Sequence, residues 1–573
     1  MKLLPKETAN LVTQAIKAAQ SAGDLPEFDI PAIPITPTKH ESHGDYACPV
    51  AMGLAKSAKM KPRAIAEIII KHLPHADFIE KFEIAGSGFI NFYLSSNFLK
   101  QQVEAIISEG ENLFTLDIGI GKKAQVEFVS ANPTGPIHIG RTRGGVIGDT
   151  MARLLEAAGY DVQREYYFNN AGNQMRILGE SLKVRYLQEL GQDVELDDNH
   201  YQGDYLIDYA KELVEQEKDA LVDAEWVVFK EFVEQKMFKW IRKSLKAINI
   251  EHDNFFNEDS LFQNGDVWET LAELEANGYV YEAIHWKGIT EEEKSKSKAT
   301  ELAKWFETTK FGDEKDRVMV KADGVPTYTL PDIAYHRNKV QRGFDVMVNV
   351  LGADHGQQYK TVAWGMEALG LDPTGIHVIL NQFVRTVITD PKTGEKVEKK
   401  GSTRRGEYDT LDDLVEWTSA DAVRYHLLAY SPTTHITFDV GEVIKQNNEN
   451  PVYYIQNAHV RCCGIFREAA ERGFTDDGAD MSLLGEDELK FIRKAVELGR
   501  VIEAAVESYE PHKIAFYGQD LAGVFHPIYD KVRVLHTEVP QDVAKARLRF
   551  YKAAQVVFHR VLSLMGMTTP ERM

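Results

Sequence analysis

At 573 residues the chain is too long for a single hydrophobic core, and at about 150 residues per domain it divides into three or four. Its 43% hydrophobic and 27% charged residues are ordinary for a water-soluble globular protein, and it has no run of about 18 apolar residues that would cross a membrane. A formal net charge of −21 excludes indiscriminate coating of nucleic acid, which needs clustered Lys and Arg, and three cysteines (Cys48, Cys462 and the adjacent Cys463) offer neither a disulfide framework nor a cysteine-based zinc site.

The N-terminus, MKLLPKETANLV, lacks the apolar core of a signal peptide, so a cytoplasmic location is expected. Residues 1 to about 110 read as a separate α+β unit. Ala9, Leu11, Val12, Ala15, Ile16 and Ala19 recur at helical spacing, a Pro-rich connector runs from Pro31 to Pro37, and FEIAGSGFINFYLS forms a hairpin around Gly86 and Gly88.

Residues 125–149, QVEFVSANPTGPIHIGRTRGGVIGD, organise the rest. Val126, Phe128 and Val129 suit a buried parallel strand; Asn132, Pro133, Thr134, Gly135 and Pro136 break it; and a helix follows from about Thr142 to Ala158. Strand, turn and helix start present backbone N–H groups and a positive helix end to an anion such as a nucleotide phosphate. A His at 138 can donate to a phosphoryl oxygen, and Gly140 allows close approach. His-x-Gly after a loop is a common pattern by itself. In its wider frame, however, PIHIG resembles the HIGH signature of class I aminoacyl-tRNA synthetases, and EFVSANPTGPIHIG with REYYFNNAGNQ downstream resembles the arginyl-tRNA synthetases. The SHGDYA pattern of the first unit is similar to the extra N-terminal domain of that family, which contacts the outer corner of tRNA.

From 120 to about 440, strands and helices alternate, as in a doubly wound parallel sheet with ligands at the carboxyl ends of its strands. The resemblance makes this the Rossmann-like catalytic domain, with an inserted helical, acidic region at about 176–300. In PTYTLPDIAYH, Tyr328 and Asp332 stand four apart, on one face if helical, where a carboxylate beside a phenol can take a planar cation; on the residues alone Asp332 serves equally as a helix cap after Pro331. The resemblance implies that Tyr328 and Asp332 hold the substrate guanidinium, that Ser130 and Asn132 hold the arginine main-chain groups, and that Glu127 lies near them. It also places His355, in VLGADHGQQ, where the family puts a Gln or His against the amino acid, although a structural histidine fits there too.

The departures from the family lie in the ATP-handling signatures. Arg141 replaces the second His of HIGH. In VEKKGSTRRGEYDTLDDL, Lys400, Gly401, Ser402, Thr403 and Arg404 occupy the KMSKR positions, with Thr403 in place of the second lysine. Pro136, His138, Gly140, Arg141, Lys400 and Arg404 are thus the expected ATP contacts, and Ser402 joins His138, Gly140, Arg141, Lys400 and Arg404 as expected catalytic residues. Lys399, Lys400, Arg404, Arg405 and Arg141 would together supply the missing positive charge.

From about 441 to 573 the pattern becomes all-helical, with amphipathic runs at Asp487–Tyr509, Pro511–Val534 and Asp542–Met565. Tyr453, Asn457 and Arg461 on the opening helix either pack in a core or stack and hold unpaired bases of RNA. Lys531 to Arg560 holds seven Lys or Arg against Glu538 and Asp542, either a solvated helix face or a basic surface. NPVYYIQNAHVR and the terminus LMGMTTPERM resemble the anticodon-binding domain of the same family.

The resemblance therefore covers the whole chain and implies an arginine–tRNA ligase with ATP as substrate, magnesium accompanying it, no zinc, and usually a monomer. Such enzymes generally need bound tRNA before activating the amino acid. A noncatalytic or weakened tRNA-binding paralogue, and another nucleotidyl transferase of the same superfamily, are the alternatives.

Overall fold

The computed structural model describes every residue except 2, 39, 390–395, 399–408 and 446, and of residues 41, 388 and 396–398 the backbone alone. Lys123–Glu127 is the central strand of a five-stranded, all-parallel sheet. Asp161–Phe168 and Asn254–Asn257 follow on one side; Val346–Gly352 and Ile376–Asn381 lie on the other. The strand order reverses between Lys123–Glu127 and Val346–Gly352, the switch point at which doubly wound sheets bind ligands. Central strands buried on both faces need near-continuous burial, and Ala124 through Phe128 are all buried.

The helix Ile139–Ala157 packs against this sheet through a largely buried surface, Thr142 through Ala152 being buried without interruption. It carries Gly144, Gly145 and Gly148 despite the cost of glycine in a helix, about 1 kcal/mol each. At Gly148 the reason is contact: a Cβ there would lie 2.3 Å from the Phe128 side chain.

Where a single helical insertion is expected at about 176–300, the structure has two. Asn173–Glu189, Tyr205–Glu217 and Trp226–Ala247 enclose their own small core; Asn254–Asn257 then rejoins the central sheet as its edge. A second excursion follows, ending in an antiparallel sheet of Val280–Ala283, Ala303–Phe306 and Arg317–Val320. Local helical periodicity in the first half concealed the four-residue edge strand between them.

The N-terminal unit is a four-stranded antiparallel sheet with helices Leu4–Ser21, Val50–Ala58 and Pro62–His72, and its expected hairpin turns through Gly86 and Gly88, both at positive φ. The C-terminal unit is helical. Its opening helix Pro451–Glu471 starts with Pro451 after the cap Asn450, and the run expected at 487–509 breaks into Glu486–Ala495 and Leu498–Ser508. Three of the seven cations of 531–560 are engaged in packing: Arg549 meets Glu104 of the N-terminal unit at 2.6 and 2.8 Å and Asp476 at 3.1 Å, Arg547 meets Glu488 at 3.0 Å, and Arg560 donates to the Leu113 carbonyl at 2.9 Å. Arg549 and Arg560 thus tie this helix to residues 104 and 113, while Lys531, Arg533 and Lys552 of the same run are exposed.

Candidate active site

The central strand leaves the sheet through two left-handed residues, Val129 (φ 67°) and Ser130 (φ 40°). A β-branched residue in this region costs on the order of 1–3 kcal/mol, and such strain gathers at functional sites. Here it turns Ser130 back, so that its Oγ donates to Glu127 Oε1 (3.0 Å) and accepts from the Tyr167 N–H (3.2 Å). Asn132 Oδ1 accepts from the Asn169 N–H (2.9 Å), and its amide donates to Gln174 (3.0 Å), tying the turn to the NNAGNQ segment. Pro136 is half-buried in the same loop, which Tyr205 holds by donating to the Thr134 carbonyl (2.9 Å).

His138 caps the helix Ile139–Ala157, its Nδ1 accepting from the Gly140 N–H at 3.2 Å. That bond requires an unprotonated Nδ1. Burial and the charge of Arg141 agree with it, pushing the His138 pKa down to about 4. The neutral ring therefore carries its proton on Nε2. A Cβ at Gly140 would come within 3.1 Å of the His138 ring, so glycine leaves room for this cap. Arg141 is half-buried and donates to the Val129 carbonyl (3.1 Å).

His138, Gly140 and Arg141 line a cleft at the switch point, with Gly144 on the same helix, Gly352 to His355 after the neighbouring strand, and Asn381 to Phe383 after the next. Lys400, Ser402 and Arg404 lie outside the described residues. The chain after them is anchored on the first signature: Thr410 pairs with His138 as an antiparallel bridge, and the Leu411 N–H donates to the Ile137 carbonyl (2.7 Å). Thr410 then caps its helix reciprocally with Asp413.

Beside the cleft lies a cluster of carboxylates. Glu127 is held by the fully buried Lys339 (2.8 Å), which also donates to Asn349 (2.6 Å). Glu258 accepts from the Tyr167 hydroxyl (2.6 Å) and the Asn169 amide (2.7 Å), and burial pushes its carboxyl up. Asp332, in the first turn of Thr329–Gln341, accepts from the Gln358 amide. Burial, then the nearby charges of Glu258 and Glu127, push its pKa up to about 7. A site that crowds carboxylates until one resists ionising is built for a cation.

Tyr328, one turn before Asp332, is 79% exposed and does not cover the carboxylate cluster. His355 lines the switch-point cleft rather than reaching Asp332; Gln358, three residues on, makes that contact, and its only sequence signal was the helix spacing from His355. Glu258 also escaped the sequence reading, although it directly follows the carboxyl end of a parallel strand. Arg461 is engaged with His526 (3.1 Å) and Asp530 (3.3 Å) and lies 4.6 Å over the Tyr529 ring, while Tyr453 and Asn457 stand half-buried on the same helix face.

A switch-point cleft walled by a His-x-Gly helix start, to which Thr410 and Leu411 return, fits a class I aminoacyl-tRNA synthetase. Family profiles agree: "tRNA synthetases class I (R), catalytic domain" matches residues 102–427, "Arginyl tRNA synthetase N terminal domain" 6–94, and "DALR anticodon binding domain" 455–573. The chain is 40% identical to an arginine–tRNA ligase of Desulforamulus reducens over 99% of its own length and 98% of the relative's, and 39% identical to one of Carboxydothermus hydrogenoformans over 100% of both. The arginyl-tRNA synthetase of Thermus thermophilus shares the fold over 100% of both chains, with a TM-score of 0.74 at 19% identity. The chain belongs to the arginyl-tRNA synthetase family and is an aminoacyl-tRNA ligase. Among the described residues no helix is long and apolar enough to cross a membrane.

Proposed function

We propose that this chain activates L-arginine with ATP and passes the arginyl group to its tRNA, working in the cytoplasm as a monomer. The supporting observation is the junction of two sites. Val129 lines the nucleotide cleft while Ser130 is bonded to Glu127, and His355 lines the cleft while Gln358 holds Asp332. An arginine with its guanidinium at Asp332 and Glu258 and its main-chain groups at Ser130 and Asn132 would present its carboxylate towards the cleft.

That carboxylate attacks the α-phosphorus of ATP; the bond to the bridging oxygen of the β-phosphate breaks and pyrophosphate leaves. The work is positioning and charge neutralisation. The Nε2–H of His138, the helix-start amides and Arg141 would meet the negative charge, and the cations of the second signature, Lys400 and Arg404, would complete it with Ser402. In transfer, a hydroxyl of the terminal tRNA ribose attacks the acyl carbon and AMP leaves. Magnesium would enter with the triphosphate. Among the described residues no three His, Cys, Asp or Glu are grouped to hold an ion. Tyr453, Asn457 and Arg461 would present one face of their helix to the anticodon loop. Full-length identity to named ligases leaves the noncatalytic reading without support.

Arginine-dependent ATP–pyrophosphate exchange, run with and without arginine tRNA, tests this: exchange is expected with tRNA, and silence in both reactions while the tRNA binds would sink the ligase reading. In that assay His138→Asn, which preserves a cap acceptor but removes the Nε2–H, should lower kcat about 10²-fold or more with little change in melting temperature. Because His138 stays neutral down to about pH 4, it should add no break to the rate profile at pH 5–8. Arg404→Ala should cost far more rate than Thr403→Lys changes; equal indifference to both would remove the compensating role of the loop cations.

A further inference from the structure

Lys339 is completely buried, and its ammonium has a carboxylate, an amide and an aromatic ring around it. It donates to Glu127 Oε2 at 2.8 Å and to Asn349 Oδ1 at 2.6 Å, and it lies 4.2 Å over the Tyr335 ring. A buried ion pair replaced by apolar groups of the same volume is often no less stable, so stability alone does not account for a lysine here.

The lysine joins three elements. Glu127 and Asn349 are partners in register on the adjacent parallel strands Lys123–Glu127 and Val346–Gly352, between which the strand order reverses. Lys339 reaches them from the helix Thr329–Gln341, where it stands seven residues after Asp332 on the same helical face. The other oxygen of Glu127 accepts from Ser130 Oγ at 3.0 Å, and Ser130 in turn accepts from the Tyr167 N–H at 3.2 Å. One unbroken set of contacts therefore runs from the helix carrying Asp332, through Lys339 and Glu127, to the left-handed turn carrying Ser130. Lys339, Glu127 and Asn349 are all buried, and none can shift without stranding a charge or an amide.

We propose that Lys339 is a positioning residue for amino-acid selection: through Glu127 it sets the separation between the carboxylate cluster at Asp332 and the Ser130 turn, so that arginine is accepted and a guanidinium amino acid one methylene longer is refused. This rests on the reading of Asp332 and Ser130 as the two ends of the arginine site. The lysine touches no substrate; it acts by holding Glu127.

Full-length Lys339→Met, assayed by ATP–pyrophosphate exchange with arginine tRNA present, tests it on arginine and on homoarginine, the homologue one methylene longer. One methylene is worth roughly 10–200-fold in kcat/KM at a well-fitted site. In the variant the preference for arginine over homoarginine should fall about tenfold, with kcat/KM for arginine reduced and the KM for ATP unchanged. An unchanged preference, whether activity is kept or lost equally towards both amino acids, overturns the proposal. A wild type that exchanges with neither would instead overturn the ligase reading, and normal arginine kinetics in Asp332→Asn would overturn the reading of the site. Should Lys339→Met fail to fold, Lys339→Met combined with Glu127→Gln, which leaves no Glu127 carboxylate unpaired, decides: its preference for arginine should also fall, and a preference equal to that of the wild type overturns the proposal.

Discussion

Asp332→Asn should lower kcat/KM for arginine about 10³-fold while making the ligand-free protein more resistant to heat at mildly alkaline pH. Both effects come from one strained carboxyl. With substrate present, the carboxylate is expected to face a guanidinium out of bulk water, where removing one partner of a charge pair costs about 2–5 kcal/mol. Without substrate, Asp332 has its pKa pushed up to about 7 by burial and by Glu258 and Glu127. A carboxyl whose folded pKa is raised binds its proton more tightly in the folded state, so its contribution to stability is complete below the unfolded value of 3.8 and is lost as pH rises through about 7. Asn keeps an oxygen for Gln358 and never ionises, so it escapes that loss. In the wild type, kcat/KM for arginine should fall with decreasing pH below about 7 as Asp332 takes up its proton. An Asp332→Asn enzyme with normal arginine kinetics, or with lowered thermal resistance, would contradict this assignment.

Arg424→Ala should be among the most destabilising single changes, costing about 3–5 kcal/mol in urea unfolding of the full chain. Arg424 is completely buried. It pairs with Asp149 on the signature helix (2.5 Å) and donates to the carbonyls of Met565 and Ile248, both at 2.7 Å. Gly566 makes the approach possible: at φ 68° it turns the end of the last helix, and a Cβ there would lie 2.2 Å from the guanidinium. Removing the arginine leaves a buried carboxylate short of a partner and two carbonyls unpaired. Asp149 has its carboxyl held below the ordinary range by Arg424, Arg153 and Arg164 against the cost of burial. Its stabilisation is therefore present above the unfolded value and lost as pH falls through the lowered one, so the gap between wild type and variant should narrow in acid. Adding Asp149→Ala to Arg424→Ala should recover part of the loss; simple additivity of the two would show that the pair is not coupled.

Much of this protein was legible from local sequence. A buried strand followed by Asn-Pro-Thr-Gly-Pro and a His-x-Gly helix start marks where a parallel sheet receives phosphate, because turn residues and helix-end amides act within a few positions of one another. Alternating strands and helices implied the doubly wound sheet, whereas the reciprocal Thr410–Asp413 cap in TLDDL went unread until the structure showed it. Periodicity also located the helical C-terminal unit.

What the sequence could not reveal depends on which distant segments meet. Gln358 reaches Asp332, Glu258 crowds it, Arg143 gathers three carbonyls from beyond position 380, and Arg549 pairs with Glu104 across 445 residues. A cationic run is the same string whether it faces RNA or a neighbouring domain, and a carboxyl the same letter whether its pKa is ordinary or near 7. Local sequence sets backbone geometry and periodicity through short-range sterics and hydrogen bonding. Burial and charge pairing depend on the crossovers that bring remote chain together, and these decided which carboxyls and cations meet beside the cleft.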